Sequence, residues 1–97
     1  MISKTYFKTK DYVKVKFSVN PENADSVAIV GLNDDWKTLI YMSRKKDGNF
    51  SADVSLPKNS QHEFKYLINE NEWLNEPEAD SQNQNSFGTV NSVIVIG

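Results

Sequence analysis

Along most of this chain, apolar residues recur at every second position. Val13, Val15, Phe17 and Val19 alternate with Tyr12, Lys14, Lys16 and Ser18. A period of two sends successive side chains to opposite faces, so the pattern predicts a half-buried β-strand over 12–19. Asn20-Pro21 closes it, because proline has no N–H to give a central ladder. Val27 to Val30 is short and wholly apolar, as in a strand covered on both faces. Gly31 ends that run at a polar loop, Asn33 to Asp35, which leads to Trp36.

Leu39 to Arg44 and Phe50 to Leu56 flank Lys45-Lys46-Asp47-Gly48-Asn49, where Asp-Gly supplies the positive φ of a hairpin turn. The two arms are predicted to pair as antiparallel neighbours. In the second arm Phe50, Ala52, Val54 and Leu56 face the core, Ser51, Asp53 and Ser55 face water, and Pro57 stops the strand. His62 to Ile68 repeats the pattern, with Phe64, Tyr66 and Ile68 inward and Glu63, Lys65 and Leu67 outward. A polar turn, Asn69 to Glu72, returns the chain to Trp73. Glu76 to Ser86, rich in Asn, Gln, Asp and Ser, reads as a loop, and Val93 to Ile96 as a last strand.

Six or seven short strands with turn signals about every 8 to 12 residues predict an all-β fold, a β-sandwich of two antiparallel sheets. Its shared core is predicted to hold Val15, Phe17, Val27, Ile29, Phe50, Val54, Phe64, Tyr66 and Ile68.

Composition narrows the function. The 97 residues fit one domain, 1–97, and without cysteine that domain must hold by packing alone. Eleven basic and thirteen acidic side chains leave a net charge of −2, too weak a field to recruit phosphate backbones or anionic lipid, so neither nucleic acid nor membrane is an expected partner. Residues 1–10 alternate polar and basic side chains with no apolar stretch of signal-peptide length. A soluble, cytoplasmic location is the expectation.

The core does not account for Trp36, which follows a polar loop, or for Trp73, which follows a polar turn. A tryptophan there can offer its flat face to the C–H face of a sugar ring, while Lys, Asn and Asp side chains bond the hydroxyls. Lys65 and Asn91 are candidates for that second role. The competing reading makes each tryptophan a lid on the core near a strand end. An enzyme has little to work with. His62 is the single histidine, and Glu70, Glu72, Glu76, Glu78 and Asp80 lie in turn and loop segments that read as a solvated acidic face. No EF-hand spacing is present for calcium. No catalytic residue, metal site or cofactor is predicted.

Val27-Ala28-Ile29-Val30-Gly31, the polar run to Trp36, Phe64-Lys65-Tyr66, Trp73, Glu76-Pro77 and Phe87-Gly88-Thr89-Val90-Asn91 together resemble family 48 carbohydrate-binding modules. That family includes the glycogen-binding domain of AMP-activated protein kinase β subunits and the N-terminal domains of isoamylases and branching enzymes. The resemblance spans residues 12–96. It implies an early-set immunoglobulin-like sandwich that binds α-1,4-linked glucans such as glycogen, starch or malto-oligosaccharides and is not itself an enzyme. By position, Trp36 and Trp73 resemble the stacking tryptophans, Lys65 the hydrogen-bonding lysine between them, and Asn91 the asparagine beside the last strand. Phe87 falls where an apolar residue reaches into the sugar ring, and Thr89 where a hydroxyl contact is added. Two departures border these positions: Gly-Leu-Asn-Asp-Asp-Trp stands for the usual Gly-x-Phe-Asn-x-Trp, and the turn at Asn69 to Glu72 is one residue longer. The alternative reading is an interaction module or accessory domain, whose tryptophans pack on a glycan-active enzyme or a kinase-like partner protein without binding free glucan.

Overall fold

Ten strands and no helix form in residues 1–32 and 35–97, the part of the chain that the computed structural model describes. Asn33 and Asp34, in the polar loop predicted after Val30, lie outside the described residues. In chain order the strands are β1 (Ile2–Tyr6), β2 (Tyr12–Val19), β3 (Val27–Val30), β4 (Leu39–Tyr41), β5 (Ser43–Arg44), β6 (Phe50–Pro57), β7 (Ser60–Ile68), β8 (Glu72–Leu74), β9 (Ser81–Gln84) and β10 (Val90–Ile96). One sheet runs β1-β2-β6-β5 and the other β4-β3-β7-β10-β9, with β8 also pairing β7. Every pairing is antiparallel. The result is the sandwich of two antiparallel sheets that the alternation predicts, with the immunoglobulin-like form that the family resemblance implies.

The two inner faces meet in a core of inward residues from β2, β3, β6, β7 and β10. Phe17 from the first sheet meets Phe64 from the second edge-on, with ring centroids 5.2 Å apart, and Phe64 packs at 5.8 Å on Tyr66. Such tilted pairs set the negative face of one ring against the positive edge of the other. Eight of the nine predicted core residues are buried, and Val54 is partly buried against them.

Several elements differ from the sequence pattern. Leu39 to Arg44 is not one arm of a hairpin: β4 pairs β3 in the second sheet, and only Ser43 and Arg44 pair β6 in the first. The break falls at Met42, whose side chain is buried and whose N–H donates to the Val27 carbonyl at 2.8 Å, so the segment crosses from one sheet to the other. The turn at Asp47-Gly48 forms as predicted, with Gly48 at φ 89° and the Lys45 N–H bonded to Asn49 O at 2.7 Å.

The first ten residues add an edge strand, β1, on β2. Lys4 stands opposite Val15 on the core-facing side of that edge and reaches across to Asp80 Oδ2 (2.8 Å) and Val95 O (2.9 Å), tying the two sheets together. The stretch Glu76 to Ser86, predicted as loop, contains β9, paired to β10 through Gln84 and Val90 at one end and Ser81 and Val93 at the other.

Glu76 is not part of a solvated acidic face. It is fully buried, and its carboxylate accepts from the Met1 amino group, the Tyr66 hydroxyl (2.7 Å) and the Glu78 N–H (2.9 Å). A buried carboxylate persists only where donors of this kind replace water.

Candidate functional site

Antiparallel partners share a face, so the register defines rows on the outer surface of the second sheet. One row is Tyr41, Ala28, Leu67 and Trp73; the next is Leu39, Val30 and Lys65. Lys65 thus stands one row from Trp73, on the strand that β8 joins.

Trp36 comes to this surface through a constrained loop. Asp35 Oδ1 accepts the N–H groups of Lys37 (3.1 Å) and Thr38 (3.0 Å), and Oδ2 accepts the Thr38 hydroxyl at 2.5 Å. These bonds, the Thr38 hydroxyl first, hold the Asp35 carboxyl down at about 2. Trp36 itself has φ 54°, a left-handed conformation rare for a bulky residue, and its ring lies close over Gly31. It remains 39% exposed.

Trp73 is the middle residue of β8, opposite Leu67, and 50% exposed. The turn that delivers it places Asn69 (φ 51°) and Glu70 (φ 63°) in the left-handed region without a glycine. Asn69 compensates: its Oδ1 accepts from the N–H groups of Asp25 (2.6 Å) and Ser26 (3.1 Å), and its Nδ2 donates to Asn23 O. The turn is therefore pinned to the loop before β3.

The third wall is the hairpin between β9 and β10, and Asn85 organises it. Its Oδ1 accepts the N–H groups of Phe87 (2.9 Å) and Thr89 (3.2 Å), and its Nδ2 donates to Thr89 Oγ1 (2.8 Å) and Asn91 Oδ1 (2.9 Å). Phe87 is thereby held at the tip, 89% exposed. Thr89 Oγ1 also accepts from Lys65 Nζ at 3.3 Å, which directs the lysine toward the hairpin. Asn91 is buried beneath, donating to Glu63 Oε1 at 3.0 Å.

All six residues singled out in the sequence, Trp36, Lys65, Trp73, Phe87, Thr89 and Asn91, line one open groove of about 990 Å³. Asn75 and Asn85 line it too, and sequence reading missed both. The signal for Asn85 was its spacing to Gly88, an Asx-turn pattern. Asn75, whose side chain ties Val90 O (3.0 Å) to the Ser92 hydroxyl (2.9 Å), carries no comparable local mark.

Lys65 is the one charged side chain among the described lining residues, and no carboxylate lies there to serve as acid or base. Among the described residues no group of three or more His, Cys, Asp or Glu is placed to hold a metal ion. No helix among them is long and apolar enough to cross a membrane.

An immunoglobulin-like sandwich with an open, aromatic and amide-lined groove on one outer face has the form of a carbohydrate-binding module. The chain belongs to the family described as the glycogen recognition site of AMP-activated protein kinase, whose model matches residues 13–97. It is thus a member of a glycogen-binding family of non-catalytic modules. No curated protein matches it.

Similar solved structures show the same fold. They include the enterobactin esterase of Shigella flexneri (TM-score 0.75, 10% identity) and the ferric enterobactin esterase of Salmonella typhimurium (0.75, 9%). The match takes in 98% of this chain in both cases, but only 32% and 34% of the respective esterases. The chain therefore spans about a third of the length of these proteins, and the likeness concerns fold alone.

Proposed function

We propose that residues 1–97 act as one module that binds α-1,4-linked glucans in the groove between Trp36 and Trp73, without chemical turnover. The observation that carries this reading is the convergence of six residues, chosen from the sequence for sugar contact, on a single groove with both tryptophans exposed. The indole faces stack on sugar C–H faces, Phe87 enters the ring from the hairpin tip, and Lys65, Thr89 and Asn91 bond hydroxyls. Exposure of Trp36 and Trp73 favours this over a role as lids on the core.

An open groove recovers little apolar area per sugar and must order a flexible chain, so dissociation constants of about micromolar to millimolar follow. The test is a fluorescence titration of the two tryptophans with β-cyclodextrin and maltoheptaose, with cellohexaose as control. Saturable change with the α-linked ligands alone supports the proposal. No change at millimolar ligand overturns it. Incubation with amylose or glycogen should release no reducing sugar, because among the described residues no acid and base pair lines the groove.

A further inference from the structure

The groove does not end at Trp36. Beside the same ring, over Gly31, lies a second recess of about 360 Å³ lined by Gln61, Glu63 and Gln84 together with Trp36, Asn85 and Asn91. The last three line both cavities, so the two are immediate neighbours that share Trp36. A chain held in the groove and passing Trp36 meets this recess next.

Its chemistry differs from that of the groove. Gln61 and Glu63 project outward from β7, opposite Val95 and Val93, and Gln84 comes from β9, opposite Val90. Each glutamine amide offers two donors and an acceptor oxygen, and the Glu63 carboxylate, with one oxygen engaged by Asn91, retains acceptor capacity. Amides and a carboxylate around one aromatic ring suit a neutral polyol, whose hydroxyls both donate and accept. Among the described residues no cation lines the recess, and Glu63 disfavours phosphate or carboxylate groups. The volume falls within the range of small-molecule clefts, about 300–1,000 Å³.

We propose that this recess is an additional sugar subsite, in which Gln61, Glu63 and Gln84 hydrogen-bond a glucosyl unit continuing the chain held in the groove. The inference rests on the glucan reading above and adds that longer chains bind more tightly because they reach past Trp36.

The experiment compares maltotriose with maltoheptaose on the wild type and on a Gln61→Ala, Gln84→Ala double variant, by titration calorimetry. Both glutamines are exposed, so the fold should tolerate their loss. Wild type should bind maltoheptaose more tightly than maltotriose. The variant should lose about five- to tenfold in affinity for maltoheptaose, as two exposed hydrogen bonds are worth, and bind maltotriose unchanged. Independently of the variant, the side-chain amide resonances of Gln61 and Gln84 in the wild type should shift with maltoheptaose and stay still with maltotriose. If the variant keeps the full chain-length gain, if both ligands weaken by the same factor, or if those resonances do not move, the subsite is overturned and the groove stands. If the wild type binds neither sugar, groove and subsite fall together.

Discussion

A β-carbon on Gly31 would stand 2.8 Å from Cη2 of Trp36 and 2.7 Å from the carbonyl oxygen of Glu63. The absence of that carbon lets the indole settle on the end of β3, and Gly31 itself sits at φ 107°, where other residues are strained. Gly31→Ala should therefore cost about 1–3 kcal/mol of stability and displace the Trp36 ring. A urea melt with a maltoheptaose titration at the same temperature checks both effects. Unchanged stability with unchanged binding would contradict this account of the Trp36 platform.

Asn85 holds the β9–β10 hairpin through four side-chain hydrogen bonds. Asn85→Ala should free Phe87 and Thr89 and weaken glucan binding several-fold. Its stability cost should be small, about 1 kcal/mol, because the hairpin tip is exposed. Backbone amide exchange at residues 86–89, compared with wild type, reports the loss of order directly.

The parts of this architecture that the sequence makes visible are those that bury one face. Phe64, Tyr66 and Ile68 alternate with Glu63, Lys65 and Leu67, and β7 forms on that pattern. β9 has no such face: Ser81, Gln82, Asn83 and Gln84 are all exposed, and the strand exists because β10 offers its backbone ladder. β1 is similar, with Lys4 on the side where an apolar residue would have marked a strand. The role of Glu76 was equally hidden, since its partners Tyr66 and Met1 lie 10 and 75 residues away in the chain. At the groove, Trp36 and Trp73 stood out because no apolar run explained them, whereas Asn75 acts through Val90 O and the Ser92 hydroxyl, which no local spacing announces.

Acid should destabilise the fold over a defined range. Burial pushes Glu76 up, but bonds from the Met1 amino group, the Glu78 N–H and the Tyr66 hydroxyl outweigh it and hold the carboxyl below its ordinary 4.5. Asp80 is likewise held below 3.8, burial being outweighed by Lys4 and the Val95 N–H, and Asp35 lies at about 2. Below these ordinary values the unfolded chain binds protons that the native state does not. The stabilisation is thus fully present above about pH 5 and is lost as pH falls toward the folded values. Denaturant midpoints measured from pH 8 to pH 2.5 should be flat at first and then decline. A midpoint that rises on acidification would contradict the assignment.

Lys65 meets a neutral ligand, so it acts as a hydrogen-bond donor rather than as a charge. Lys65→Met, which keeps the stem and removes the donor, should weaken maltoheptaose binding by about 1 kcal/mol, roughly fivefold. Raising salt from 0.05 to 0.5 M, two round settings of about a tenfold span, should leave wild-type affinity nearly unchanged. A steep salt dependence would point to an anionic ligand instead.

The central claim is that Trp36 and Trp73 carry sugar binding, and calorimetric titration of maltoheptaose into wild type, Trp36→Ala and Trp73→Ala tests it most directly. Both side chains are exposed, so the variants should melt close to wild type. Each should lose about 2 kcal/mol or more of binding free energy, about thirtyfold in affinity, as truncation of a central aromatic contact does. Folded variants that both bind maltoheptaose like the wild type would contradict the account.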